Sequence, residues 1–379
     1  MTYTQPISFN RNPITSNRKL RKFGKNLFFS LGVPVTFTII ALLISYFGGK
    51  EASPLLFDFS NIEYLKTSLT GFLKTILLTL TAACALNANL NSGRMDFSLG
   101  ATGILGSVLA ATVLTSGGAH LINSIGGVFA FMFLTMAFSM LLGFINSIIF
   151  ILLKIPPIVM SLGMCLVYEG ISKVIVGDGT TLTAFEGVIP TKIFEEPIVL
   201  VPMIAIVMVI MSLILCYSKF GYEKNALVYD QKISVETGIK EVASCIACFI
   251  IAGALIGVYQ TVNCMTGTDI TIKVDLGSSG DVFKNFLPIF IGGIIAKYNN
   301  QIIGLTLAIF STTILTIGMN NANEAGSAFF TTQTINLING FMVFGVLVYM
   351  VNKNRFINWV KMRKYLFKQK RLYPKGKEE

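Results

Sequence analysis

Charge is scarce in this chain. Asp, Glu, Lys and Arg make up 13% of its 379 residues, beside one histidine and one tryptophan. Soluble domains carry about 25% charged residues, so the shortage excludes an ordinary soluble protein. Acid is scarcest of all: between Glu63 and Glu169 the only acidic residue is Asp96. The lone His120 sits in a short loop and reads as an incidental polar contact. No Gly-x-x-x-x-Gly-Lys-Ser/Thr occurs, so the chain has no P-loop with which to hold ATP. The first apolar run, Leu27–Phe47, lacks an Ala-x-Ala cleavage site behind it, which favours an uncleaved first span over a signal peptide. Of the six cysteines, Cys245-Ile-Ala-Cys248 has a suggestive spacing, but it opens an apolar run with no partner ligands nearby. No metal or other cofactor is expected on this chain.

What is abundant is apolar sequence, 53% of the whole. Ten runs approach the roughly 18–20 residues that cross about 30 Å of hydrocarbon as a helix. They are Leu27–Phe47, Leu69–Leu90, Phe97–Leu114, Ile125–Leu153, Pro157–Val176, Ile198–Tyr217, Val242–Val262, Phe283–Ala296, Ile302–Met319 and Ile335–Val351. The expected fold is all-α, a polytopic membrane protein of the cell membrane with about ten transmembrane helices and both termini cytoplasmic. Phe283–Ala296 is short and contains Pro288, so a tilted or re-entrant segment is the alternative there.

The net charge of +11 is concentrated in a basic N-terminal tail (1–26) and a basic C-terminal tail (352–379), flanking a membrane domain at 27–351. Lys and Arg are enriched in the loops that this topology places inside, so the charge reads as orientation and not as a nucleic-acid surface. Loops 177–197 and 263–282 fall outside and are mildly acidic, either simply solvated or forming a docking rim.

Three patches stand out. Asn91-Ser-Gly-Arg-Met-Asp96-Phe-Ser98-Leu-Gly100 joins two apolar runs, and Asp96 or Ser98 would cap the helix that follows. Asn87 and Asn91, four apart, share a helix face and serve either interhelical hydrogen bonding or a solute path. Second, Ile155-Pro156-Pro157 starts a helix with proline in its first turn, leads to Leu162-Gly163, and continues to Glu169. Glu169 has Lys173 four residues on, in the order that favours an ion pair, with a substrate contact as the alternative. Third, the inside loop 218–241 balances four lysines with Glu223, Asp230, Glu236 and Glu241. A short helix at 230–237 is expected to end at Gly238.

Gly93-Arg-Met-Asp96-Phe-Ser98-Leu-Gly100 resembles the Gly-x-x-Asp-x-Ser-x-Gly signature of the membrane permeases of ribose-type sugar ABC importers. Pro156, Leu162 and Gly163 match a second motif of those permeases, and Gly221, Ala226, Gly238 and Ile239 match the loop that docks their ATPase. Glu169 stands where many relatives carry a basic residue, and Val228-Tyr229 where they often carry a glycine pair. The resemblance runs collinearly through about residues 60–351. It implies a permease subunit that translocates a ribose-like monosaccharide and leaves ATP and Mg to a separate cytoplasmic ATPase. It also implies an extracytoplasmic solute-binding protein and a second, identical permease chain. Coupling would fall to Gly221, Ala226, Asp230, Glu236, Gly238 and Ile239. The alternatives are a nucleoside or branched-chain amino-acid permease of the same superfamily, or an ion-coupled secondary transporter.

Overall fold

A computed structural model describes residues 13–48, 62–90, 94–116, 124–177, 179–183, 196–267, 269–324, 327 and 329–372. The apolar runs become helices: α1 (Pro13–Gly48), α2 (Ile62–Leu90), α3 (Leu99–Ser116), α4 (Ile125–Leu153), α5 (Pro157–Val176) and α6 (Pro197–Ser212). A π-helical turn, Leu213–Tyr217, follows α6. Loop 218–241 then forms α7 (Lys219–Tyr229) and α8 (Gln231–Glu236). Next come α9 (Glu241–Gly267), α10 (Gly277–Phe283), α11 (Phe286–Ile295), α12 (Gln301–Glu324) and α13 (Thr332–Leu372). The protein is all-α and polytopic. Among the described residues eight helices are long and apolar enough to cross a membrane, and Leu99–Thr115 and Phe286–Ile295 are shorter apolar helices.

Local chemistry sets several boundaries. Ser124 caps α4 by accepting from the Gly127 amide. Lys154 ends α4 in the left-handed region, and Pro157 opens α5 at its first position, where a missing N–H costs nothing. The helices extend beyond the apolar runs at both ends of the chain. α1 takes in part of the basic N-terminal stretch, and α13 continues through 41 residues, about 62 Å at 1.5 Å per residue.

α2, α3 and α9 form the middle of the bundle, with α4, α5, α6 and α12 around them and α1 laid on α12. Small residues let α4 and α9 come close: a Cβ at Gly253 would lie 2.3 Å from the Ser139 carbonyl oxygen, and one at Gly143 2.5 Å from that of Phe249. Such backbone approach holds helices together where lipid removes the hydrophobic drive. Large apolar side chains such as Phe28, Phe133, Val174 and Ile198 remain on the outer faces.

Two segments depart from the expected topology. Phe283–Ala296 is not one span. α11 has ten residues, about 15 Å of rise and half the hydrocarbon thickness, and Lys284–Asn285 separate it from α10. Loop 263–282 is not wholly an outside loop either. β2 (Asp269–Thr271) pairs antiparallel with β1 (Thr181–Thr183), Leu182 opposite Ile270, which joins the two loops assigned outside. From there the chain turns inward. Ile270 and Ile272 share a core cluster with Val108, Ala110 and Ala111, whereas Ser278 lies against Gly100. That is about ten residues back along α3, a descent of roughly 15 Å. There a buried side chain, Glu169, accepts from the amide of Ser278 in the Gly-Ser-Ser-Gly run and from that of Leu276 just before it, while the Gly277 and Ser279 amides bond the Val274 and Leu276 carbonyls.

Candidate functional site

The centre is built where α3 begins. Asp96 Oδ1 accepts from the Ser98 amide at 2.8 Å and from Ser98 Oγ at 2.6 Å, fixing the turn in front of the helix. Ser98 Oγ in turn accepts from Asn146 Nδ2 of α4 at 2.8 Å. Asn146 Oδ1 accepts from the Tyr168 hydroxyl of α5 at 2.7 Å. The chain of hydrogen bonds therefore ties α3, α4 and α5 at one level. Asn146 lies seven residues before the end of α4, and Tyr168 eleven residues into α5, so that level is about 10–16 Å in from the end of α4 and the start of α5. Asp96 is 2% exposed and does not sit in a solvated turn. Its Oδ2 is buried and has no hydrogen-bond partner among the described residues.

Glu169, also 2% exposed, faces the inward-turning segment. Its Oε2 accepts from the Leu276 amide at 2.9 Å, and its Oε1 from the Ser278 amide at 2.8 Å and the Ser278 hydroxyl. The expected pairing with Lys173 is corrected by these bonds: Lys173 Nζ donates to the Gly179 carbonyl oxygen at 2.7 Å. Amides that cannot find water in a membrane interior outcompete an ammonium that can reach the surface. Asp275 and Leu276 both hold positive φ, 55° and 63°, a conformation costing about 1–3 kcal/mol for a residue with a side chain. Glu169 stabilises that turn. Gly100 completes the contact, since a Cβ there would lie 2.2 Å from the Ser278 carbonyl oxygen.

Other singled-out residues divide. Asn87, 4% exposed, accepts from Gln301 Nε2 of α12 at 3.2 Å, an interhelical bond. Asn91 and Gly93 lie outside the described residues. Pro156 is exposed, Leu162 packs on the main core, and Gly163 is exposed, with nothing within 4 Å of where a Cβ would stand, so these three do not join the centre. A void of about 10 Å³, room for one water, lies between Gly100, Leu86, Ile256, Tyr259, Gln260 and Asn285. Among the described residues no group of His, Cys, Asp and Glu is placed to hold a metal.

Loop 218–241 is structured throughout. Ser218 caps α7 through the Gly221 amide, and Gly221 is held tight to the π-helical turn, where a Cβ would lie 2.3 Å from the Leu215 carbonyl oxygen. The Ala226 carbonyl accepts from the Asp230 amide, which ends α7. Asp230 Oδ1 then caps α8 by accepting from Ile233 N at 3.0 Å. At the other end Gly238 has φ +93°, its N–H bonds the Val235 carbonyl, and Ile239 N–H bonds that of Ser234. This is a Schellman ending. The short helix expected at 230–237 is thus present as α8. Val228, Ile233, Val235 and Glu236 are exposed on this loop. Lys224 is not: it is 1% exposed, its Nζ has no hydrogen-bond partner among the described residues, and burial holds its ammonium below its ordinary pKa, with Cys248 and Cys216 nearby opposing the shift.

Sequence reasoning passed over Asn146, Tyr168 and the bridge from Arg94 to Glu241, whose Nη2 to Oε1 distance is 3.0 Å. A lone amide inside an apolar run was the available signal for Asn146.

The chain is 26% identical over 293 residues to the fructose import permease protein FruF of Bifidobacterium longum (strain NCC 2705), covering 73% of this chain and 78% of that one. No family model and no solved structure matches the chain.

Proposed function

We propose, from the premise that this chain is one of the sugar-import permeases of ABC transporters and a multi-pass protein of the cell membrane, that it is the membrane-spanning subunit of a monosaccharide importer. The observation that carries the reading is the collinear similarity to a fructose import permease over most of both chains. A ribose-like or ketohexose monosaccharide is the solute, handed over by an extracytoplasmic binding protein. A separate cytoplasmic ATPase binds ATP and Mg and docks on the inside loop of each of two identical permease chains.

The geometry supports the division of labour. α8 is a short, doubly capped helix with apolar side chains exposed, the form of an element meant to enter a partner's cleft. Loop charges of both signs would set register with that partner more than affinity. At the membrane centre the polar groups of Asp96, Ser98, Asn146 and Tyr168 tie three helices that must move together.

The test is uptake of labelled fructose and ribose by cells lacking the chromosomal copy, with and without the chain restored. ATP-dependent uptake of one sugar, surviving collapse of the proton gradient, is expected. Uptake that needs the gradient and no ATPase would overturn the reading in favour of a secondary transporter.

A further inference from the structure

The inside loop and the turn before α3 are far apart in sequence, yet one oxygen atom joins them. Glu241 is the first residue of α9. Its Oε1 accepts from Arg94 Nη2 at 3.0 Å and from Gln231 Nε2 at 2.6 Å. Gln231 is the first residue of α8. Arg94 stands two residues before Asp96, its own amide bonded to the Asn89 carbonyl at the end of α2. The Arg94 side chain is 9% exposed and that of Glu241 35%.

We infer that Glu241 is a positioning residue that relays movement of α8 to the α2–α3 junction, through the pair of bonds Gln231–Glu241–Arg94. A guanidinium this buried needs an anionic partner, because leaving it unpaired costs far more than the pair contributes. Arg94 therefore follows Glu241. Glu241 in turn is shared with Gln231, which sits on the smallest and most exposed helix of the loop. When a partner shifts α8, the 2.6 Å bond draws the Glu241 carboxylate, and Arg94 carries the shift to the turn that Asp96 and Ser98 hold. The acid also suits its place, since the first turn of a helix favours negative charge. This inference rests on the reading of loop 218–241 as the site where an ATPase docks.

The experiment uses the full chain in its assembled transporter and, in parallel, the purified chain in nanodiscs. Glu241→Gln is expected to insert normally, to cut uptake about tenfold, and to make ATP hydrolysis insensitive to solute. Arg94→Glu and Glu241→Arg singly should be inactive, and the two combined should regain a substantial part of uptake. Gln231→Ala leaves the Arg94 pair intact and should still lower uptake several-fold. Hydrogen exchange of residues 94–102 should rise in both Glu241→Gln and Gln231→Ala. That readout needs neither ATPase nor sugar, so it separates failure of the relay from failure of the transport reading. Wild-type uptake and exchange in Gln231→Ala, or no recovery in the reversed pair, would reduce the contact to a static brace and overturn the proposal.

Discussion

Two buried carboxylates, Asp96 and Glu169, share one layer of this membrane protein and are used in opposite ways. Both oxygens of Glu169 are occupied, by the amides of Leu276 and Ser278 and by the Ser278 hydroxyl. Asp96 spends one oxygen on Ser98 and leaves Oδ2 without a hydrogen-bond partner among the described residues. A carboxylate whose acceptors are all matched to fixed donors is a structural element. One with an unmatched oxygen in a desolvated place carries a cost that local structure does not account for. The difference separates a residue that builds the site from one available to take part in its work.

The largest effect expected from breaking this contrast is at Glu169. Glu169→Ala leaves the buried Ser278 amide and the part-buried Leu276 amide without their acceptor, at a cost of about 1–3 kcal/mol for a buried group, and removes what stabilises the turn at Asp275 and Leu276. Thermal unfolding in detergent should show a loss of about 3 kcal/mol or more, with uptake abolished. Glu169→Gln should fall between, because an amide nitrogen facing the Leu276 N–H sets donor against donor. A wild-type midpoint in Glu169→Ala would mean that the turn holds itself.

Next in size is Gly100→Val, which attacks the same segment from α3. Its Cβ would meet backbone, the Ser278 carbonyl at 2.2 Å, and backbone cannot rotate away. Overpacking of this kind costs about 1–3 kcal/mol. The variant should insert but unfold at lower temperature, and exchange across 275–279 should rise.

How much of this was legible follows from the range of the forces involved. Helix ends were readable because they are local: Pro156-Pro157 at the start of α5, and Asp230 and Gly238 around α8, act within a few residues of themselves. The ten apolar runs were readable because lipid imposes their length, and α11 fell short for the reason its composition hinted, a brief run with a proline. What could not be read was distance. Glu169 finds its partners 107 and 109 residues away, and Arg94 finds Glu241 147 residues away. Nothing in the spacing of Glu169 and Lys173 reveals that a loop assigned to the outside turns inward and offers better donors. The signature itself was readable as a helix cap, but its inset position depends on Asn146 and Tyr168, single polar residues in apolar helices.

Asp96→Asn sharpens the comparison in the other direction. The amide keeps an oxygen for the Ser98 amide and hydroxyl and places its nitrogen where Oδ2 now lacks a donor, so no existing hydrogen bond need be lost. Stability should change by less than about 1 kcal/mol, the range of a modified cap. Uptake should nevertheless drop strongly at normal membrane level, measured as transport per inserted chain. Undiminished transport would make Asp96 an ordinary cap, equivalent in kind to Glu169.

The smallest effect tests the same argument with the sign of charge reversed. Lys224, on α7, is as buried as the two acids and its Nζ has no hydrogen-bond partner among the described residues. Burial depresses its pKa, so the unfolded chain binds a proton more readily than the folded one between the depressed value and the ordinary 10.5. Stability therefore rises with pH through that window, because the folded state no longer has to hold a charge there. Lys224→Met removes the ammonium and keeps the aliphatic length. It should stabilise the chain in nanodiscs by about 1 kcal/mol at neutral pH, the lower end of the cost of an unpaired polar group. The gain should shrink as the pH approaches about 10, where the wild-type amine is itself neutral. A variant that is less stable at neutral pH, or a difference that does not narrow with pH, would show that Lys224 is held as a cation by contacts stronger than those around Asp96 Oδ2.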